Sequence, residues 1–215
     1  MSKNELLRTL VSRLQPFSSH DLEQLCVPDT AAAREAEELS RASSSESLVN
    51  HGFRSYAWGA LLGISDGMRF DAELFYIASL LHDIGLTETY DRGNCFESDG
   101  ADAARELLHG LGWPTDRAER VGRAIYLHMH DVAAGDPPEA HLLAFGTSVD
   151  VSGRRFADID EQSRGVVLDE YPRFGFKRHF VELFTDQAAR KPHCAVHAYM
   201  SSSGAERIMS APYES

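Results

Sequence analysis

Residues 71–85 read Asp-Ala-Glu-Leu-Phe-Tyr-Ile-Ala-Ser-Leu-Leu-His-Asp-Ile-Gly. Leu74, Ile77, Ala78, Leu80, Leu81 and Ile84 leave this stretch apolar nearly all round, the pattern of a helix enclosed by others. Asp71 has the chemistry of an N-cap, and Gly85 that of a C′ stop. His82 and Asp83 therefore fall at the end of a buried helix. A buried, unpaired charge costs several kcal/mol or more, so the pair must be hydrogen-bonded, ion-paired or bound to a metal.

Helical patterns continue in both directions. Leu6, Leu7, Leu10, Val11 and Leu14 form an apolar stripe that stops before Pro16, and Pro28-Asp29-Thr30 opens an Ala/Glu-rich helix to about Arg41. The serine run 43–47 predicts a loop and N-cap, because a helix bearing Leu48, Val49, Phe53, Tyr56, Ala57, Ala60 and Leu61 begins at once. Downstream, helices are expected over about 98–109, from Trp113-Pro114-Thr115-Asp116 to His128, from Asp136-Pro137-Pro138 to Asp150, and over 173–190. No alternating apolar/polar run suggests a strand, so the expected class is all-α. The expected division is a helical extension over 1–42 packing on the core, one domain over 43–192, and an irregular tail over 193–215.

Composition narrows the function. The 215-residue chain is 43% apolar and 25% charged, with a net charge of −12. Such an acidic balance argues against nucleic acid and against an anionic membrane surface, both of which require a basic face. No apolar run approaches the roughly 20 residues needed to span a bilayer. Three scattered cysteines, Cys26, Cys95 and Cys194, form no CxxC pair, and no secretory signal is evident. The expectation is a reducing, cytoplasmic location and a small-molecule substrate, with room for a homo-oligomer.

His51, His82, Asp83, His128 and Asp150 come from different expected helices. Helical proteins build metal sites this way, from side chains projecting inward on facing helices. Mixed nitrogen and oxygen donors suit one divalent transition metal, zinc or iron before manganese. His128 shares a face with Val121, Ala124 and Ile125, whereas His130, roughly 200° further round a helix, should point outward. Arg54 lies one turn beyond His51; it could grip a phosphate or form a structural salt bridge to Glu97 or Asp99. Glu97 is a candidate acid/base, Thr87 and Glu88 are candidates to line the pocket, and Arg92 is a possible further cation. His179, His193 and His197 could cover the site. Trp58 and Trp113 read as core.

The order His…His-Asp…Asp, with Gly after the pair, resembles the HD-domain superfamily of metal-dependent hydrolases. Asn50-His51-Gly-Phe-Arg54-Ser-Tyr56, Leu81–Gly85, Phe96-Glu97-Ser-Asp-Gly100, Ala124-Ile125-Tyr-Leu-His128 and Val149-Asp150-Val-Ser-Gly153 are similar to successive blocks of its cyanamide hydratase-like branch. Tyr171-Pro172-Arg173-Phe-Gly175-Phe176 and Lys191-Pro192 extend the likeness to about residue 192. The resemblance implies an HD-type helical bundle with a central metal held by His51, His82, Asp83 and Asp150. Two-metal members place a further histidine where this chain has Phe96, which implies one metal here. Three functions follow from the resemblance. One is a hydrolase or hydro-lyase adding water to a nitrile-type carbon such as cyanamide, with Asp83, His128 or Glu97 moving protons. The second is a phosphomonoesterase acting on a nucleotide, with Arg54 on the phosphate. The third is a non-catalytic ligand-binding domain.

Overall fold

The computed structural model describes residues 28–213, which form ten α-helices and, among these residues, no strand. The apolar stripe at Leu6–Leu14 and Cys26 lie outside the described residues. In chain order the helices are α1 (Ala31–Ser43), α2 (Glu46–Ser65), α3 (Ala72–Leu81), α4 (Phe96–Gly110) and α5 (Thr115–Leu127). They continue as α6 (Pro138–Ser152), α7 (Glu161–Glu170), α8 (Phe176–Arg190), α9 (Ala195–Ser201) and α10 (Gly204–Met209). No described helix is long and apolar enough to cross a membrane.

The N-caps follow the serine, threonine and aspartate signals. Thr30 accepts from the Ala33 amide, Ser45 from Leu48, and Asp71 from Glu73 and Leu74. At α6 the cap is Pro137; the Asp136 carboxylate turns away to the Ala133 amide and to Arg123. Helix α3 is buried along its length from Leu74 to Leu81.

Helices α2 and α6 pack backbone to backbone, and two glycines permit it. A Cβ on Gly146 would lie 2.0 Å from the Ser55 carbonyl oxygen, and one on Gly59 would lie 2.4 Å from that of Leu142. With backbone facing backbone, Asp150 on α6 comes within reach of His51 and Arg54 on α2.

Helix α3 does not run on to Gly85. It ends at Leu81 with His82 as C-cap, followed by a 3₁₀ turn over Ile84–Leu86. Gly85 is not a left-handed stop: it is absent from the positive-φ glycines. Its side chain is missing for a different reason, since a Cβ there would sit 2.1 Å from the Phe96 carbonyl oxygen. Gly100 faces the same turn, its Cβ position 3.1 Å from the His82 carbonyl. The two glycines let α4 lie directly on the His-Asp turn.

The C-terminal segment departs from the expected irregular tail. Residues 195–201 and 204–209 are helical, and Val196, Ile208, Ala211 and Tyr213 are buried. Val196 and Ile208 join a second apolar cluster containing Phe96, Phe176, Phe180 and Phe184. Helix α7 was not legible in the sequence either: it buries only Ser163 and Val167, too short a stripe for periodicity to register. Helix α1 is less an extension than part of the core, because Ala32, Ala33 and Ala36 are buried in the main cluster.

A disulfide joins Cys95, before α4, to Cys194, before α9, across 99 residues of sequence. Disulfides persist in oxidising surroundings, so this pair runs against the reducing compartment expected from the cysteine count. Spacing carries no sign of it; only the fold brings the two together.

Candidate metal centre

The break after Leu81 is what makes the His-Asp pair a site. On a continuous helix, adjacent side chains diverge by about 100°. Here His82 keeps helical dihedrals, while Asp83 adopts φ −101° and ψ 6°, so the two side chains converge. His82 Nε2 lies 3.2 Å from Asp83 Oδ2. His51, from the middle of α2, completes the group: its Nε2 is 3.1 Å from His82 Nε2 and 3.4 Å from Asp83 Oδ2.

These three atoms fit a divalent cation. Donors about 2.0–2.1 Å from a zinc-sized ion, at tetrahedral or octahedral angles, lie about 2.8–3.4 Å apart. The ring tautomers agree. The His82 Nδ1–H donates to the Ser79 carbonyl at 2.9 Å, and the His51 Nδ1–H to Asp150 Oδ2 at 2.7 Å, so both Nε2 atoms face inward. Both Asp83 oxygens are buried and lack a hydrogen bond among the described residues. Two imidazole nitrogens and an orphaned carboxylate around one point are a donor set for a metal.

Electrostatics supports the same reading. Burial pulls the His51 imidazole down, keeping it neutral. Burial acts on His82 likewise, but the Asp83 carboxylate outweighs it and raises His82 above its ordinary value. Burial pushes the Asp83 carboxyl up, yet the His82 charge holds it at about 2. Asp83 thus carries a negative charge between the imidazoles, and a cation would fit beside it.

His128 stands beside the cluster. Its side chain is 3% exposed, its Nδ1–H donates to the Ile125 carbonyl, and its Nε2 lies 3.7 Å from Asp83 Oδ1. Burial, and the neighbouring His82 charge after it, lower His128 to about 3, so it presents a bare lone pair.

Asp150 does not join the three donors; the structure places it behind His51. Oδ1 accepts from Arg54 Nε at 2.8 Å, Arg173 at 2.8 Å and Trp58 Nε1 at 3.1 Å, and Oδ2 from Arg54 at 2.9 Å and from His51. Burial favours the neutral acid, but the Arg54 and Arg173 guanidiniums overcome it and hold the carboxyl well below its ordinary range. Fully supplied with donors, Asp150 orients His51, as a carboxylate behind a metal-bound histidine does. The His51 ring is also stacked on Phe176, with centroids 4.6 Å apart.

The remaining expectations divide. Arg54 is fully buried, and its partner is Asp150 rather than Glu97 or Asp99; its third nitrogen donates to the Tyr171 and Pro172 carbonyls. Glu97 is 1% exposed: Oε1 meets His130 Nε2 at 3.2 Å, and Oε2 has no partner among the described residues. Thr87 and Glu88 do not line the cavity at the cluster; the Thr87 hydroxyl donates to Ile84, and Glu88 is exposed. Arg92 pairs with Glu106. His179 bonds Ser47, His197 bonds the Ala188 carbonyl, and His193 sits beside the disulfide. His130 does not point away as expected, because α5 stops at Leu127 and both His128 and His130 line the cavity.

Sequence reading missed Arg173, the second clamp on Asp150, and the aromatic wall Phe180, Phe184 and Tyr199. The i, i+4, i+8 spacing of Phe176, Phe180 and Phe184 on α8 was a readable signal for that wall.

A helical bundle that brings two histidines and an aspartate from separate segments to the edge of a cavity defines a class, the helical metal-site domains. This chain belongs to the HD domain family, whose model matches residues 48–160. Over 172 residues it is 26% identical to the cyanamide hydratases DDI2 and DDI3 of Saccharomyces cerevisiae, covering 77% of this chain and 76% of each of those proteins. Among solved structures it is similar to a predicted HD superfamily hydrolase from an uncultured Thermotogales bacterium, at 22% identity and a TM-score of 0.44. That match covers 72% of this chain and 91% of that one.

Proposed function

We propose that this protein adds water to an uncharged, nitrile-type carbon, using one divalent metal held by His51, His82 and Asp83. The observation that carries the choice of electrophile is the state of Arg54. In a phosphohydrolase this residue would hold the phosphate, but here every guanidinium nitrogen is committed to Asp150 or to backbone carbonyls. It is buried and absent from the cavity wall. Arg173 is likewise spent on Asp150. A substrate without formal charge needs neither. The 26% identity to cyanamide hydratases supports the same chemistry.

A divalent cation at this site supplies Lewis-acid activation of water. The protein's own groups do the rest. Asp150 fixes the His51 tautomer, and Ser79 fixes that of His82. His128, neutral and with Nε2 turned to Asp83 Oδ1, stands beside the donors where it would orient a water by accepting its hydrogen bond. Hydration through to the amide breaks both π bonds of the C≡N group, turns the water oxygen into a carbonyl and delivers both water hydrogens to nitrogen. No leaving group needs protonation. Glu97 acts on the cavity through His130 rather than directly. Phe96, 5.5 Å from the His128 ring, offers no ligand for a second ion.

Urea formation from cyanamide, measured beside phosphate release from a panel of nucleoside monophosphates, tests this reading. The expected result is urea without phosphate. Phosphate release with no urea would transfer the assignment to phosphomonoester hydrolysis.

A further inference from the structure

The cavity at the metal donors has a volume of about 790 Å³ and includes His51, His82, Asp83 and His128 in its wall. Cyanamide has three heavy atoms, the bulk of two or three water molecules, or about 60–90 Å³ at ~30 Å³ per water. The cavity is therefore on the order of ten times larger than that substrate, in the roughly 300–1,000 Å³ range of sites that enclose whole drug-sized molecules.

Beside polar residues such as Asp131, Ser148, Ser152 and Arg154, the wall carries an apolar stretch that a small polar molecule alone would not cover. An aromatic series starts at the metal donors: His51 to Phe180 with centroids 5.5 Å apart, Phe180 to Phe184 at 4.2 Å, and Phe184 to Tyr199 at 5.9 Å. Met129, Phe145 and Val151 add further apolar surface. At the end of the series the buried Tyr199 hydroxyl has no hydrogen-bond partner among the described residues. Arg155, also on the wall, is engaged by Asp66 and Asp158.

Resting on the hydratase reading above, we infer that the substrate is a nitrile-type compound bearing a flat, aromatic-sized substituent. The reacting carbon lies at the His51–His82–Asp83 end and the substituent along Phe180, Phe184 and Tyr199. The reaction is R–NH–C≡N plus water giving R–NH–CO–NH2; the substituent is untouched and its burial contributes binding. Tyr199 offers the far end of the substituent one hydrogen bond.

The test compares phenylcyanamide with cyanamide on the full chain, with Ala198→Phe, on the cavity wall, as the second protein. The inference expects kcat/KM at least tenfold higher for phenylcyanamide. It also expects Ala198→Phe to lower that value at least tenfold more than it lowers the value for cyanamide. Cyanamide turned over as well as or better than phenylcyanamide, or a variant that affects both equally, would overturn the inference and leave the hydratase reading standing. If neither compound is hydrated, the hydratase reading fails and the inference falls with it.

Discussion

His82→Ala is expected to leave a folded protein that retains no stoichiometric divalent metal and turns over its substrate on the order of 10³-fold more slowly or worse, the scale of losing several kcal/mol of Lewis-acid stabilisation. Asp83→Asn should do the same with less disturbance, since it keeps shape and volume. The Asp83 oxygens accept no hydrogen bond among the described residues, so the amide forfeits none of the fold's own bonds. His82 contributes one bond to the Ser79 carbonyl at the end of α3. The measurements are metal per chain by elemental analysis, helicity by circular dichroism, and turnover. Both variants losing metal while keeping native helicity is the predicted pattern. Retention of full metal content by either would remove that residue from the donor set.

Arg54→Met should destabilise the fold by about 3–5 kcal/mol, the cost of removing one partner from a buried ion pair. Asp150 is 0% exposed, and two of its contacts come from Arg54 in a bidentate fork. Arg54→Lys should rescue little, because a point charge cannot reproduce the fork or reach the Tyr171 and Pro172 carbonyls with a third nitrogen. Arg54→Met combined with Asp150→Asn should not recover the loss, because the buried Arg173 guanidinium then lacks its carboxylate.

The pH dependence has a definite sign. The depressed Asp150 carboxyl contributes stability that is present above its ordinary value of 3.8 and is lost as pH falls toward its lower folded-state value. The gap between wild type and Arg54→Met in urea unfolding should therefore be widest above pH 4 and narrow below it. A variant with native stability but raised KM for a phosphorylated substrate would show that Arg54 serves the ligand instead.

Much of this arrangement could be read from the chain. The apolar circumference of residues 74–81, the capping aspartate and the His-Asp pair are local features, and local features survive without tertiary information. His51, His82, Asp83 and His128 do converge, the His-Asp pair through the break after Leu81 rather than along a helical face. What could not be read depends on contacts between distant segments. Asp150 has the same sequence signature whether it meets a cation or two guanidiniums, and only the α2–α6 approach through Gly59 and Gly146 decides. Gly85 looked like a helix stop because that is glycine's commonest use there; its packing on Phe96 leaves no periodic trace. His130 was assigned outward on the assumption that α5 continued, and the helix ends at Leu127. Cys95 and Cys194 are joined by the fold alone.

The central claim is that His51, His82 and Asp83 hold one divalent metal. Calorimetric titration of the chelator-treated protein with Zn²⁺ at pH 7, in buffers of different ionisation enthalpy, tests it most directly. The account predicts one ion per chain, with a binding enthalpy that varies with the buffer as the ligands give up protons on binding. Two ions per chain, or no saturable binding, would contradict it.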